Sequence, residues 1–267
     1  MRFSFLRMAS IMALTVLLGI GCTDDEKKDL DEGQKSSNES TATPPEGVEA
    51  VDLGLSVKWA SFNVGATKPE EYGDYFAWGE TEPYYEAGFA QEDPQAHWKN
   101  GKTAGYDWST YKWCNGSYNT MTKYCSKSDH GNNGFTDTNT TLDSEDDVAR
   151  VQWGGSWRMP TTAEQDDLRN KCTWTWCSSG NTEFNGVAGC KVTSKIEGYT
   201  DRFIFLPAAG FRSGTSIIDV GSFGLYWSSS LNTGYPYGAC SLGFYSDGVH
   251  WNSGCRYYGF SVRPVCP

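Results

Sequence analysis

The pattern of apolar and polar positions predicts β-strands along most of the chain. Residues 51–59 alternate apolar and other residues, as a half-buried strand does, and residues 72–78 add a run of aromatic β formers. Residues 187–192 and 203–208 are short apolar runs bounded by glycine, proline and charged residues. From Phe223 to the end the pattern is typical of a strand, a turn and further strands. Strands are therefore expected to dominate this part of the chain.

The segment between the first strands and residue 134 has no such periodicity. Residues 79–134 are polar and dotted with glycine, which predicts long loops. Three tryptophans in this segment are expected to pin these loops to the core, namely Trp98, Trp108 and Trp113.

Two short helices are predicted after these loops. Asp143 can cap a helical turn through residues 145–149, with acidic side chains at its favourable positive end. The same acidic cluster has an alternative interpretation as a calcium site, although it lacks the spacing and the turn glycine of an EF-hand loop. For the second helix, Thr161 stands three residues before Glu164, which is the spacing of a capping box. Leu168 is then expected to face the core.

A β-hairpin is predicted near the C-terminus, where Asp247-Gly248 lies between two β-prone runs. If these two residues form the turn, facing residues have numbers that sum to 495. Cys240 then faces Cys255, which predicts a cross-strand disulfide, with two reduced cysteines as the alternative. In this register Phe244 faces Trp251, and Tyr245 faces His250.

The segment from Phe223 to Phe260 is rich in aromatic residues, with 11 of them among 38 residues. Rigid aromatic rings among small polar residues are typical of an antibody paratope, while an aromatic β-core is the alternative. Because strand residues alternate between faces, both interpretations can hold at once. We expect four rings to point inward: Trp227, Phe244, Trp251 and Phe260. The predicted ligand-binding face consists of Tyr235, Tyr237, Tyr245, His250, Asn252, Tyr257 and Tyr258.

The N-terminus predicts export and attachment to a membrane through lipid. Residues 1–21 combine an early positive charge with an apolar run of about ten residues, which fits a secretory signal peptide and is too short to span a bilayer. A small residue before Cys22 resembles the lipobox, in which the cysteine is acylated after cleavage. An ordinary signal peptide with an incidental cysteine is the alternative.

Residues 22–48 have the composition of a flexible acidic tether. They contain almost no apolar residues, and an Asp-Asp-Glu cluster at residues 24–26 resembles the signal for export to the cell exterior in Bacteroidetes. A merely solvated charge run is the alternative. Residues 49–267 are then long enough for one domain with a sizeable core.

Charge and cysteine content exclude several classes of function. The formal net charge is −11, and without the two signal arginines it becomes 20 − 33 = −13, which argues against a nucleic-acid partner. Of nine cysteines, eight lie outside the lipidation motif, and no metal-binding Cys or His spacing occurs. The three histidines, His97, His130 and His250, lie in no catalytic motif. Neither a cofactor nor a metal is therefore expected.

Five motifs in order resemble the Fibrobacter succinogenes major paralogous domain family of exported Bacteroidetes proteins. They cover about residues 50–266 and read Val51-Asp-Leu-Gly-Leu-Ser-Val-Lys-Trp-Ala60, Gly73-Asp-Tyr-Phe-Ala-Trp-Gly-Glu80, Trp157-Arg-Met-Pro-Thr161, Tyr226-Trp-Ser-Ser229 and Gly259-Phe-Ser-Val-Arg-Pro-Val265.

The resemblance implies an α+β fold of the C-type-lectin-like kind. In that fold two short helices flank a small twisted antiparallel sheet among long loops, and it is related to the fold of formylglycine-generating enzymes. Similar domains act as variable proteins of diversity-generating retroelements, and residues 226–258 resemble the segment that is diversified there. The nearest match to the reactive cysteine pair of formylglycine-generating enzymes is Cys172 with Cys177.

Three functions follow as hypotheses. The first is a non-catalytic lipoprotein at the outer membrane, facing the cell exterior, that binds an extracellular glycan or protein. The second is a structural lipoprotein of the envelope or of a fimbrial assembly. The third, an enzyme of the formylglycine-generating type, lacks an activating base beside its cysteines. The sequence favours the first.

Overall fold

The computed structural model describes residues 42–267, apart from residues 93 and 100. The described residues all belong to one compact unit. The predicted signal peptide, the lipidation site Cys22 and the acidic cluster lie outside the described residues. In the described range no helix is long and apolar enough to cross a membrane.

The described end of the predicted tether lies against the domain. Val48 packs on the main core, and the carbonyl oxygen of Ala42 lies so close to Gly154 that a side chain there would clash with it. The described segment 42–48 therefore contacts the domain at both of its ends.

The domain has an α+β fold of small antiparallel sheets with two α-helices in its described part, as the sequence predicts. The helices are α1 (Val148–Trp153) and α2 (Thr162–Lys171). Short 3-10 helices occupy Pro94–His97, Asn132–Gly134 and Ser144–Asp146. The strands are β1 (Ala50–Val51), β2 (Lys58–Ala60), β3 (Cys172–Cys177), β4 (Gly189–Ser194), β5 (Phe203–Pro207), β6 (Phe211–Ser213), β7 (Ser216–Ile218), β8 (Gly224–Leu231), β9 (Gly238–Tyr245), β10 (Gly248–Cys255) and β11 (Val265–Cys266).

The two ends of the domain meet in one sheet of order β1-β2-β11. The single strand predicted over residues 51–59 is wrong, because β1 and β2 are separate strands that pair with each other. Between them, Asp52 accepts a hydrogen bond from the backbone of Gly54, whose positive φ turns the chain. Leu53 and Val57 are still buried. The alternation of apolar residues therefore predicted correctly which side chains are buried, although these residues do not form one continuous strand.

The central sheet, of order β10-β9-β8, lies between two core clusters. Trp227 and Ala239 belong to the cluster on one face, and Leu242 and Phe244 belong to the cluster on the other. Because successive strand residues point to opposite faces, this segment fills both cores with neighbouring side chains. Of the four rings predicted to point inward, Trp227, Phe244 and Phe260 are buried.

Trp251 is the exception among the rings expected inward, since 39% of its surface is exposed. Strand β10 lies at the edge of its sheet, beyond the core that buries Leu242 opposite. The indole instead lies against the guanidinium of Arg169 on α2, 5.2 Å from the ring centroid. The prediction that Trp251 closes the interior is therefore wrong.

The register of the β9–β10 hairpin differs from the predicted one by two residues. Tyr245 pairs with Gly248, so the turn residues are Ser246 and Asp247, and paired numbers sum to 493. A turn centred on Asp247-Gly248 requires a positive φ at both residues, which Asp247 does not adopt. The shift by two keeps every side chain on its predicted face.

The corrected register separates the two cysteines of the predicted disulfide. Cys240 faces Ser253, and Cys255 faces Gly238. Both cysteines are free thiols, as are the other six cysteines in the described residues. The cross-strand disulfide is therefore not formed, because its geometry depended on the wrong turn.

The second helix, α2, follows its prediction closely. Thr161 accepts a hydrogen bond from the backbone of Glu164, and the Glu164 carboxylate accepts one from the backbone of Thr161, which completes the capping box. Leu168 is fully buried, and the helix ends at Lys171.

The first helix, α1, is capped by a different aspartate from the predicted one. Asp147 accepts hydrogen bonds from the backbone N–H groups of Ala149 and Arg150, at 3.0 and 3.2 Å. Asp143 makes no capping bond, and its carboxylate lies 2.6 Å from the ammonium of Lys123. The acidic cluster therefore both caps a helix and pairs with a lysine.

The loops over residues 79–134 are irregular, as predicted, and cover a third core cluster rich in tyrosine. Trp113 donates from its indole to the carbonyl oxygen of Gly79 at 2.8 Å, while Trp98 and Trp108 pack against the same cluster. The aromatic run at residues 72–78 contributes only an isolated bridge between Phe76 and Phe260. Its rings fill the core from an extended segment.

Candidate functional site

The seven residues of the predicted binding face are all at least partly exposed, but they do not form one surface. Tyr245 and His250 lie at the turn end of the β9–β10 hairpin, while Tyr235 and Tyr237 precede β9 at its other end. Eight residues separate Tyr237 from Tyr245, which is roughly 27 Å along a strand. The single binding face is therefore corrected to two groups of residues.

The group near Tyr235 and Tyr237 forms a compact aromatic cluster with two loop residues, Tyr118 and His130. We call these four side chains the tyrosine cluster. The ring of Tyr237 stacks on His130 with centroids 5.4 Å apart, and it meets the edge of Tyr118 at 5.9 Å. Tyr235 lies 5.9 Å from Tyr237, and Tyr118 lies 6.1 Å from His130.

The outer members of this cluster are among the most exposed aromatic side chains in the described part of the chain. Tyr235 is 61% exposed and Tyr118 is 51% exposed. Both exposed rings contact the half-buried ring of Tyr237, so the cluster forms a contiguous aromatic patch, and exposed patches of this kind mark interaction sites. The hydroxyl-bearing rings offer both apolar faces and polar tips to a ligand.

A tight turn before β9 fixes the position of Tyr235. The side-chain oxygen of Asn232 accepts hydrogen bonds from the backbone N–H groups of Gly234 and Tyr235, at 3.0 and 3.2 Å. The ammonium of Lys127 donates to the carbonyl oxygen of Gly234 and lies 5.9 Å from the ring centroid of Tyr235. A lysine from the long loops thus holds this turn in place.

The loop that carries Tyr118 and His130 is folded back on itself. Met121 forms backbone bridges with both Cys114 and Gly131. Gly131 lies so close to the backbone of Phe135 that a side chain there would clash. The imidazole of His130 also lies 2.9 Å from the Asp129 carboxylate, which lowers the pKa of Asp129.

Arg256 joins the two segments beneath the cluster. Its guanidinium is fully buried and donates to the hydroxyl of Tyr111 and to the carbonyl oxygens of Lys123, Tyr124 and Pro236, at 2.9 to 3.0 Å. The first three acceptors lie in the loops and the last one directly precedes Tyr237. One side chain therefore sets the distance between the parts of the tyrosine cluster.

Tyr257 and Tyr258 extend the same side of the domain but are only half-exposed. Tyr257 packs against Trp108 with centroids 4.7 Å apart, and Tyr258 packs against Phe211 and Phe260. Burial and a hydrogen bond with Tyr258 raise the pKa of Tyr257, so its hydroxyl stays protonated as a donor. These two rings therefore pack mainly against the core and offer little area to a ligand.

The other group lies on the β9–β10 hairpin, with Tyr245 and His250 at its turn end and Asn252 near the middle of β10, and no described contact joins these side chains. The ring of Tyr245 stacks on Phe223 with centroids 3.8 Å apart. His250 faces Gly243 across the strands, and Asn252 accepts a hydrogen bond from the backbone of Ser253. No aromatic contact in the described residues joins Tyr245 to His250. This end therefore lacks a shared aromatic surface.

The two cysteines that resemble a reactive pair are far apart in space. Cys172 begins β3 and Cys177 ends it, so they lie roughly 17 Å apart and point to opposite faces. Burial raises the pKa of Cys172 to about 11, which keeps this thiol protonated at neutral pH. The acidic side chains near Asp143 belong to no group of three or more potential metal ligands in the described residues.

Sequence reasoning identified Tyr235 and Tyr237 but missed Tyr118, His130 and Arg256. The first two missed residues lie in the polar loop segment, about 100 residues before their partners. The signal that could have found Tyr118 is a large aromatic residue placed between Gly116-Ser117 and Asn119, where no buried run explains it. No local signal marks Arg256 as the connection between the two segments.

Comparisons with known proteins do not add a relative to this picture. No protein-family model matches the chain, and neither the curated proteins nor the solved structures contain a match to it. The interpretation of the site therefore depends on its own geometry.

Proposed function

We propose that this chain is a lipid-anchored protein of the outer cell surface whose domain binds an extracellular glycan or protein without catalysing a reaction. The observation that carries this proposal is the tyrosine cluster, in which exposed rings from two distant segments form one surface. Burial of these rings in the core would stabilise the fold, so their exposure on the surface is explained better by ligand binding than by a purely structural role.

The chemistry of the cluster suits adaptable recognition. Tyrosine supplies large contact area with little loss of conformational entropy, and the neighbouring Asn, Ser, Thr and Gly residues supply small polar groups. The backbone beneath is held by Lys127, Asn232 and Arg256, so the rings are presented by fixed segments. Rigid presentation reduces the entropy lost on binding.

We also propose that the fold is C-type-lectin-like and that the chain belongs with the Fibrobacter succinogenes major paralogous domains. The motifs behind this resemblance supply core residues. Trp59, Trp78, Trp227 and Arg263 are each at most 2% exposed. Two helices, small antiparallel sheets and long loops agree with such a fold, which by itself assigns no ligand.

The anchoring part of the proposal rests on sequence. Acylation of Cys22 would hold the chain on the membrane, and the acidic residues that follow favour the outer face. If the tether predicted from composition behaves as a random coil, the 20 residues from Cys22 to residue 41 would reach roughly 25 Å, enough to hold the domain clear of the lipid headgroups.

Binding to intact cells tests the proposal. Cells that produce the full chain are incubated with a panel of fluorescent polysaccharides and extracellular glycoproteins. We expect at least one probe to bind, and the double variant Tyr118→Ala with Tyr235→Ala to reduce binding at least about tenfold, because an exposed aromatic anchor contributes roughly 1 kcal/mol or more. Cells producing the Cys22→Ser chain should also lose surface binding.

The matched control changes the hairpin tip, in the double variant Tyr245→Ala with His250→Ala. It removes an exposed tyrosine and a histidine about 27 Å away along β9, and binding should be unchanged. Binding that survives loss of the tyrosine cluster but not loss of the tip would overturn the assignment of the site. A panel without any bound probe, together with constant co-purification of one envelope partner, would favour the structural lipoprotein instead.

A further inference from the structure

Strand β10 leaves one edge of the central sheet without a hydrogen-bonded neighbour in the described residues. It is eight residues long and pairs only with β9, in an unbroken register from Gly248 to Cys255. An edge of this length displays a row of backbone donors and acceptors that can pair with another strand.

The direction of these backbone groups follows from the turn. Tyr245 and Gly248 close a two-residue turn, and such a closing pair exchanges both of its backbone hydrogen bonds. Bonded pairs alternate along the ladder, so Val249, Trp251 and Ser253 direct their N–H and C=O groups away from β9. Among the described residues, no hydrogen bond outside the sheet uses these groups of Val249 or Trp251, while the N–H of Ser253 donates to the side-chain oxygen of its neighbour Asn252.

Natural proteins protect edge strands with charged residues, proline, bulges or covering loops. Strand β10 reads Gly-Val-His-Trp-Asn-Ser-Gly-Cys and contains neither proline nor any Lys, Arg, Asp or Glu. Its pairing with β9 contains no bulge, whereas the β8–β9 pairing does contain a register shift. Trp251 is 39% exposed beside this unprotected edge.

We propose that β10 pairs with β10 of a second copy of this chain, antiparallel and about a two-fold axis at Trp251. Each outward-facing residue then meets another one: Trp251 faces Trp251 of the second copy, and Val249 faces Ser253. The two central sheets join into one sheet of six strands. The pairing is isologous and therefore closes as a dimer.

A second copy is the expected partner because the β10 edge is complementary to itself when it is turned about the two-fold axis. The two-fold axis brings the two half-exposed indoles together on one face of the joined sheet, where aromatic pairs across strands stabilise the sheet. The chain has a formal net charge of −11, yet no ionised side chain of β10 faces its copy. Arg169 lies over the Trp251 ring on the face of the sheet, but it is paired with the carboxylate of Asp166 at 2.9 Å, so its charge is offset within its own chain. The edge is thus a place where two acidic domains can approach with little direct repulsion.

Charge reversal across the axis tests the dimer. The full chain is purified in neutral detergent as wild type, as Trp251→Lys and as Trp251→Glu, and its mass is measured by sedimentation equilibrium over a concentration series. Wild type should be dimeric, and each charged variant should self-associate at least about 100-fold more weakly, since like charges face each other and the indoles are lost. An equimolar mixture of the two variants should recover dimers, because lysine then faces glutamate.

The matched control is Thr175→Lys on β3, which is also an edge strand without charged residues. Thr175 is exposed, and its replacement should leave the wild-type dimer unchanged. Unfolding midpoints of all variants should stay within about 5 °C of wild type, which excludes loss of the fold as the cause. A monomeric wild type, a mixture that stays monomeric, or open polymers that Thr175→Lys disrupts would each overturn the proposal.

Discussion

At the scale of single residues, three buried arginines donate hydrogen bonds to carbonyl oxygens and form no ion pair with a carboxylate in the described residues. Arg256 and Arg263 donate to backbone oxygens of distant segments, and burial lowers the pKa of Arg263 to about 10, which still leaves it charged at neutral pH. The guanidinium of Arg212 lies over the rings of Tyr75 and Tyr85. Since a guanidinium has five donors in a fixed fork, Arg256 and Arg263 each join several chain segments at once.

Asp74 gives a prediction at the same scale, because its carboxyl group is poorly solvated. It lies beside the backbone of Gly65 and accepts a 3.5 Å hydrogen bond from the hydroxyl of Tyr85. Burial raises the pKa of Asp74 to about 6, although the Tyr85 hydrogen bond and the charge of Lys99 oppose the shift. The folded state therefore binds a proton more tightly than the unfolded state, and the stability present at low pH is lost as the pH rises through the folded-state pKa.

We expect Asp74→Asn to be more stable than wild type by about 2 kcal/mol at pH 7.5 and to match it near pH 3. The gain should appear between pH 4 and pH 6.5, as the wild-type carboxyl group ionises. Denaturant unfolding at a series of pH values measures this difference. The control Asp201→Asn removes a side chain that is 79% exposed and should show no such pH dependence. A constant difference between Asp74→Asn and wild type at all pH values would contradict the assignment.

At the scale of elements, the two helix caps show which caps can be predicted from the spacing of residues along the chain. The capping box of Thr161 and Glu164 needs only residues of one turn, and it forms as predicted. For α1, several acidic residues precede the helix, and spacing alone does not distinguish them. Asp147 is selected because its carboxylate also accepts the backbone N–H of Met159, 12 residues away, at 2.9 Å.

Replacing Asp147 should therefore cost more than replacing an ordinary cap. Asp147→Ala leaves three backbone N–H groups without their acceptor, two in α1 and one at Met159, in a buried place. We expect a loss of about 2–4 kcal/mol in the free energy of unfolding, measured by denaturant titration. Asp143→Ala is the matched control, because it removes only a partly exposed ion pair with Lys123 and should cost less than about 1 kcal/mol. Equal losses in the two variants would rule out the assigned cap.

At the scale of the whole molecule, the long loops are held to the central sheet from its C-terminal side. Arg256 directly follows β10, yet its acceptors include Tyr111, Lys123 and Tyr124 in the loops. Its guanidinium also lies over the ring of Trp78, 5.1 Å from the centroid. The arrangement of the tyrosine cluster thus depends on contacts between parts of the chain about 130 residues apart.

Arg256→Lys tests this dependence, because lysine keeps the charge but cannot reach four acceptors. We expect the free energy of unfolding to fall by about 3 kcal/mol or more, since carbonyl oxygens are left buried without donors. Backbone hydrogen exchange should accelerate within residues 111–137, while residues 189–194 of β4 should keep their relative protection. Arg202→Lys, at a side chain that is 60% exposed, should change neither quantity. Uniform acceleration across the domain would contradict a local role for Arg256.

The hairpin shows which predictions the sequence could support. Its existence, its strands and the face of each side chain were predictable, because turn residues and alternation act over a few positions. The register of the hairpin was not predictable, because it depends on the backbone conformation of the turn. The exposure of Trp251 was not predictable either, because it depends on whether β10 has a neighbouring strand. The exposed state of Tyr235 was predicted, but its contact with Lys127 was not.

The class of the domain, the capping box of α2 and most of the rings that fill the core were predictable from the amino-acid sequence, because hydrophobic burial and local hydrogen bonding are encoded within each segment. Which tyrosines contact one another depends on how distant segments of the folded chain pack together. Tyr118 and Tyr237 are 119 positions apart, and their contact exists because Arg256 holds both segments against the same end of the sheet. Such contacts depend on the packing of the whole chain, which the spacing of residues along one segment does not record.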